Sequence, residues 1–170
     1  MGASITLANG FWHAHRRDGV DKPIVAIIGD STFFHSGIPG LLNAVASGAR
    51  FVVLVMDNGT VAMTGFQPTP AAHGASLEGV ARALGVRFVE SMDPFRTDDF
   101  IALLKRAHEF TRHAEGGMAV VVARRPCALC VAPEKKGRVE VAADACTGCE
   151  FCLKFCGCPA LARDDATGKV

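Results

Sequence analysis

Along residues 1 to 123, short apolar runs alternate with longer stretches of mixed, helically spaced residues. The runs Ile24–Ile28, Phe51–Met56, Val86–Glu90 and Met118–Ala123 have the length of strands. The stretches between them, Ser4–Arg16, Ile38–Ser47, Leu77–Leu84 and Thr97 to about Ala114, predict helices. The punctuation agrees. Lys22-Pro23 breaks the pattern after the first helix, Gly48 and Gly85 stop the second and third, Thr97 is placed to cap the long helix, and Gly116-Gly117 ends it. Strands that lack polar alternation are buried on both faces, and strands separated by helices pair in parallel. The pattern therefore predicts an α/β domain: a parallel sheet flanked on both faces by helices.

From Arg124 the character changes. Strand-length apolar runs stop, and Pro133–Arg138 reads as a charged connector. All seven cysteines fall between Cys127 and Cys158. An odd number at such close spacing, with no secretion signal ahead of it, argues for metal or cluster ligation rather than disulfides. We place the boundary so that residues 1–123 form the α/β domain and residues 124–170 a small second segment.

Hydrophobic residues make up 49% of the 170, ample for a core. With 18 basic and 17 acidic residues the net charge is +1, which gives no electrostatic case for nucleic acid or an anionic membrane. No apolar run approaches the roughly 18 residues that a membrane span needs. The first residues lack a charged-then-apolar signal layout. These features point to a cytoplasmic protein.

Candidate chemistry sits where the strands end. Two of them run into Gly29-Asp30-Ser31 and Asp57-Asn58-Gly59-Thr60. Ligands of open parallel sheets bind beyond the carboxyl ends of the strands. A glycine turn lets backbone N–H groups approach a phosphate, and the helix that follows adds its positive end. Asp30 and Asn58 then offer hard oxygen ligands, which Mg²⁺ takes beside phosphates. Either turn alone is equally an ordinary polar turn in which Asp30 caps the next helix. The two together suit a magnesium-bridged diphosphate. In the second segment, Cys146-x2-Cys149-x2-Cys152 is the close triple of an iron–sulfur loop, and Cys158-Pro159 supplies its Cys-Pro ending. The usual final spacing would select Cys156 instead, so either Cys156 or Cys158 can be the fourth ligand. Cys127-x2-Cys130 with Cys146-x2-Cys149 also fits a zinc ribbon, at the cost of leaving three cysteines unused.

The wording around these turns is specific. Ile28-Gly29-Asp30-Ser31-Thr32-Phe33-Phe34-His35-Ser36-Gly37-Ile38-Pro39, Met56-Asp57-Asn58-Gly59-Thr60-Val61-Ala62-Met63-Thr64-Gly65-Phe66-Gln67-Pro68 and Val122-Ala123-Arg124-Arg125-Pro126-Cys127 resemble the large subunit of the indolepyruvate:ferredoxin oxidoreductases, a branch of the 2-oxoacid:ferredoxin oxidoreductases. Ser31 replaces the glycine of the general thiamine motif but agrees with this branch, whereas Gly59 and Phe66 depart from it. The resemblance implies a thiamine-diphosphate-binding fold followed by an incomplete, ferredoxin-like 4Fe–4S segment. It implies a diphosphate cradled by Gly29, Asp30 and Ser31, with Mg²⁺ on Asp30, Asn58 and the Thr60 carbonyl. Thr32, Met63, Thr64 and Gly65 would lie near the cofactor. His35 would face the diphosphate or substrate, or else pack as a structural residue. Family endings favour Cys158 over Cys156, with Cys146, Cys149 and Cys152, as 4Fe–4S ligands.

The implied reaction is oxidative decarboxylation of a 2-oxoacid such as indolepyruvate, with electrons passing through iron–sulfur clusters to ferredoxin and coenzyme A taking the acyl group. The chain resembles the middle and end of a longer subunit. The cofactor-activating glutamate, not provided by Glu78 or Glu90, would come from an upstream domain, and a small (beta) subunit would complete the enzyme, so residues 1–170 alone are expected not to turn over. Two other classes compete. A non-oxidative thiamine-dependent lyase or carboligase would need no cysteine triple. An electron-transfer or zinc-binding module on a degenerate α/β scaffold would bind metal but not thiamine diphosphate.

Overall fold

The computed structural model describes residues 2–131, 140–155, 157 and 160–170. The connector Pro133–Arg138 and the residues Cys156, Cys158 and Pro159 lie outside the described residues. The chain divides into two compact units, Met1–Ala132 and Pro133–Val170.

In the first unit, four parallel strands form the sheet: β1 (Val25–Gly29), β2 (Val52–Asp57), β5 (Phe88–Met92) and β6 (Ala119–Arg124), in the order β1-β2-β6-β5. Two short strands, β3 (Thr60–Val61) and β4 (Gln67–Pro68), form a separate antiparallel pair between β2 and β5. Helices α1 (Ala3–Arg17), α3 (Ile38–Ala46) and α4 (Leu77–Ala83) cover one face through Ile5, Leu41, Ala44, Leu77 and Ala81, which meet Ile28, Val53, Val55, Val120 and Val122. Helix α5 (Thr97–Arg112) covers the other face through Leu103 and Ala107 against Val52, Ala119 and Val121. The central strands β2 and β6, apolar up to their carboxyl ends, are buried on both sides along Val52–Val55 and Ala119–Ala123.

Three details differ from the expected elements. β1 is an edge strand and lies beyond the span of α5, so Val25 and Ile27 are 52% and 58% exposed on that face. Thr97 does not cap α5; Arg96 holds the cap position without a side-chain bond, and Asp98 and Asp99 in the first turn complement the helix dipole instead. The helix expected from Ile38 starts eight residues earlier. A short turn, α2 (Asp30–Thr32), leads into a π-helical turn (Phe33–Gly37) and then α3. Pro39 has no N–H to give the His35 carbonyl. The turn before it widens accordingly, and the Ile38 N–H donates to the Phe33 carbonyl. Phe33 is thereby driven fully into the core.

Among its described residues the second unit holds α6 (Phe151–Lys154) and otherwise turns and loops. None of its described residues is buried.

Candidate functional site: the carboxyl ends of the strands

Asp30 is the first residue after β1 and is 4% exposed. Gly29, in extended conformation, is the helix cap, so Asp30 does not cap but enters the first turn with its carboxylate turned across the strand ends. Its Oδ1 accepts the Ser31 N–H at 2.7 Å and its Oδ2 accepts the Gly59 N–H at 3.1 Å. The second contact joins the two turns singled out in the sequence. Burial pushes the Asp30 carboxyl above the ordinary carboxylate range, and the neighbouring Asp57 carboxylate adds to this, while the Ser31 and Gly59 N–H groups oppose it.

The loop after β2 is held by its own side chains. Asn58 Oδ1 accepts the Thr60 N–H at 3.0 Å, and Asp57 Oδ1 accepts the Gly59 N–H at 3.1 Å. Gly59 takes a φ of +74°, where a side chain would strain the turn. Beyond Thr60 the chain turns through β3 and β4, with Thr64 Oγ1 donating to Gln67 Oε1. Met63 stands 99% exposed at the tip of that hairpin, and Thr64 and Gly65 are exposed beside it. Thr32 is half-buried, while His35 is exposed rather than packed.

The joining of Asp57, Arg124 and Glu78, which the sequence reading did not foresee, completes the arrangement. Asp57 and Arg124 are register neighbours at the ends of β2 and β6, and Arg124 Nε donates to Asp57 Oδ2 at 2.7 Å. Arg124 also pairs with Glu78 in the first turn of α4 at 2.8 Å. Burial pushes the Glu78 carboxyl up, yet the Arg124 guanidinium outweighs it and holds it below its ordinary value. Only the strand order puts these three side chains together. The remaining signal in the sequence was a polar residue at the end of each apolar run.

An oxygen set of one carboxylate, one carboxamide and one main-chain carbonyl fits Mg²⁺ and a diphosphate. Asp30 is a nearly buried carboxylate whose only neutralising contacts are N–H groups, and a divalent cation would offset its desolvation. A cavity of about 260 Å³ lined by Trp12, Asp21, Arg50, His108 and Arg112 lies at the opposite, amino-terminal end of the strands and takes no part in this site.

In the second unit Gly148 takes a φ of +69° and Glu150 of +57°, bending the chain sharply between Cys146 and Cys152. Glu150 is fixed by ion pairs to Lys154 and Arg163. The N–H groups of Val170 and Gly148 favour the thiolate of Cys146 and lower its pKa; the Phe151 N–H and the Thr147 hydroxyl do the same for Cys149. Thiols with backbone N–H donors around them suit cluster ligation. Among the described residues, however, no three His, Cys, Asp or Glu side chains are gathered into a metal cage, so the sulfurs of Cys146, Cys149 and Cys152 are not brought together. Cys127 and Cys130 sit in a turn of the first unit, the Cys130 N–H donating to the Cys127 carbonyl at 2.9 Å; burial and then Cys127 push the Cys130 thiol up.

Residues 1–123 match the family described as thiamine pyrophosphate enzyme, C-terminal TPP binding domain. The chain belongs to that family. It is 38% identical over 177 residues to indolepyruvate oxidoreductase subunit IorA of Archaeoglobus fulgidus, covering 96% of this chain and 27% of that protein. The protein of the same name from Pyrococcus horikoshii is 39% identical over 178 residues, with the same coverage. The chain thus spans about a quarter of the length of these relatives. Among solved structures, one from Mycobacterium smegmatis described as a thiamin diphosphate-dependent enzyme superposes with a TM-score of 0.57 at 27% identity, covering 72% of this chain and 21% of that one. The parallel-sheet fold is therefore that of thiamine-diphosphate enzymes. No helix among the described residues is long and apolar enough to cross a membrane.

Proposed function

We propose that this chain forms the thiamine-diphosphate and Mg²⁺ half of an oxidoreductase that oxidatively decarboxylates 2-oxoacids, with arylpyruvates such as indolepyruvate as substrates. The observation that carries the cofactor site is the buried Asp30 carboxylate, bonded across the strand ends to Gly59 in the loop that bears Asn58 and Thr60. The observation behind the substrate class is the name shared by the relatives at 38% and 39% identity.

In this reading Gly29, Asp30 and Ser31 cradle the diphosphate, and Asp30, Asn58 and the Thr60 carbonyl hold Mg²⁺. Bound thiamine diphosphate supplies the carbon nucleophile and the electron sink for loss of CO₂. The chain's own residues orient and enclose. Thr32 stands a turn beyond Asp30, and Met63, Thr64 and Gly65 form a lip on the β3–β4 hairpin. His35 is exposed and free to meet the diphosphate or the substrate. Glu78 and Glu90 are committed to ion pairs with Arg124 and Arg106. The glutamate that activates the cofactor then comes from an upstream domain, and a small subunit completes the enzyme.

In the same reading Cys146, Cys149 and Cys152, with Cys158 or alternatively Cys156, would hold a 4Fe–4S cluster, which would supply a one-electron acceptor on the way to ferredoxin, and coenzyme A would take the acyl group. The enzyme works in the cytoplasm. None of the described residues of the second unit is buried, and a bound cluster would be one way to order it, a role for which a bare lyase has no use. The test is anaerobic reconstitution with iron and sulfide, followed by a count of iron, sulfide and zinc per chain. Roughly four irons and four sulfides are expected. Zinc without sulfide would instead assign Cys127, Cys130, Cys146 and Cys149 to a structural site and remove the redox half.

A further inference from the structure

Arg124 lies at the end of β6, outside the oxygen set described above, yet it ties the loop that carries that set to the first turn of α4. Its Nε donates to Asp57 Oδ2 at 2.7 Å, and its outer nitrogens reach Glu78 at 2.8 and 3.1 Å. The side chains of Asp57 and Glu78 are only 6% and 15% exposed, so both carboxylates rely on the guanidinium more than on water. The other oxygen of Asp57 accepts the Gly59 N–H, the same N–H that Asp30 Oδ2 accepts, each at 3.1 Å. Two carboxylates thus converge on one amide at the mouth of the site. The main chain after Arg124 grips the same loop. The Arg125 N–H donates to the Asp57 carbonyl at 3.0 Å, and the Cys127 N–H to the Asn58 carbonyl at 3.2 Å.

We propose that Arg124 is a positioning residue for the Asp57–Thr60 loop, an inference that rests on the cofactor reading above. By occupying Asp57 Oδ2 it keeps that carboxylate from turning to the cation, so that Asp30, Asn58 and the Thr60 carbonyl remain the ligand set. Mg²⁺ demands near-octahedral geometry and gives up its waters reluctantly, so a loop with a stray second carboxylate binds it in the wrong arrangement. The planar guanidinium spans Asp57 and Glu78 at once; a lysine ammonium is a point charge and reaches only one of them well.

The test uses the full chain, R124Q, R124K, D57N and the double variant R124Q/D57N, with two readouts. The first is amide hydrogen exchange at Gly59 and Thr60 without ligand. The second is calorimetric binding of thiamine diphosphate with and without Mg²⁺. R124Q is expected to speed exchange at Gly59 and Thr60 while leaving that of α1 unchanged. It is expected to weaken Mg²⁺-dependent binding at least tenfold. R124K recovers part of that loss. The double variant binds no more weakly than R124Q, because both substitutions remove one interaction. Unchanged exchange and binding in R124Q, or losses from R124Q and D57N that simply add, would overturn the proposal. Should R124Q not fold, R124K and D57N carry the same comparison. A parent chain that binds no thiamine diphosphate would sink the cofactor reading. Exchange at Gly59 and Thr60 would then still decide whether Arg124 orders the loop.

Discussion

Asp30 carries two opposed demands. In the cofactor-free chain its carboxylate is buried beside Asp57 and disfavoured as an anion; with Mg²⁺ it must be one. Its folded pKa is raised, so from the ordinary value near pH 4 up to the raised value the folded chain keeps a proton that the unfolded chain has lost. Stability contributed by this group therefore falls as pH rises through that window and levels off above it. Asp30→Asn removes the loss. Denaturant titrations of both proteins without cofactor should show the variant gaining on the parent across the window, and a difference flat in pH would refute this. The same substitution should weaken Mg²⁺-dependent thiamine diphosphate binding by at least tenfold, about 1.4 kcal/mol. The sequence made the two strand-end turns legible, because Gly29-Asp30 closes one apolar run and Asp57-Asn58 closes the next. The joining of Asp57, Glu78 and Arg124 was hidden. Their pairing depends on β6 lying next to β2, an order that local patterning does not encode.

At the scale of elements, the helix after β1 shows packing prevailing over local preference. Glycine inside a helix is ordinarily unfavourable by up to about 1 kcal/mol relative to alanine. At Gly37 in the π turn, an added Cβ would meet Ile28 Cδ1 at 3.0 Å and Phe33 Cδ2 at 3.1 Å, so that two buried side chains must shift by a few tenths of an ångström. At Gly10 in α1 nothing lies within 4 Å. Gly10→Ala should therefore stabilise the chain by roughly 0.5–1 kcal/mol, and Gly37→Ala should destabilise it by roughly 1–3 kcal/mol. Equal shifts in thermal midpoint for the two variants would show that the close approach at Gly37 has no weight. Here the sequence misled in an instructive way. The apolar spacing predicts a helix from Ile38, but the helical path begins at Asp30, and Pro39 acts by widening the turn before it. Strand limits were readable to within about two residues, because the apolar runs themselves supply the buried faces of β2 and β6.

At the scale of the whole molecule, the two units differ in what holds them. The first has a layered core on both faces of its sheet. The second, Pro133–Val170, is below the roughly 40 residues at which a chain can usually bury enough surface unaided. None of its described residues is buried, and its ion pairs at Glu150 are open to solvent screening and contribute little. Cysteine spacing marks this segment off in the sequence, since seven cysteines with no partner pattern for disulfides point to metal ligation, and on the reading proposed above a metal would organise it. The sulfurs of Cys146, Cys149 and Cys152 stand apart in the cofactor-free chain, and a cluster would supply the geometry that brings them together. Limited proteolysis before and after anaerobic iron–sulfide reconstitution checks this. Cleavage within residues 140–170 should be fast without the cluster and slow by an order of magnitude or more with it, while the α/β unit resists equally in both. Iron and sulfide taken up with no gain in protection would show that the cluster hangs on a unit already folded, and a gain with zinc alone would return these cysteines to a structural role.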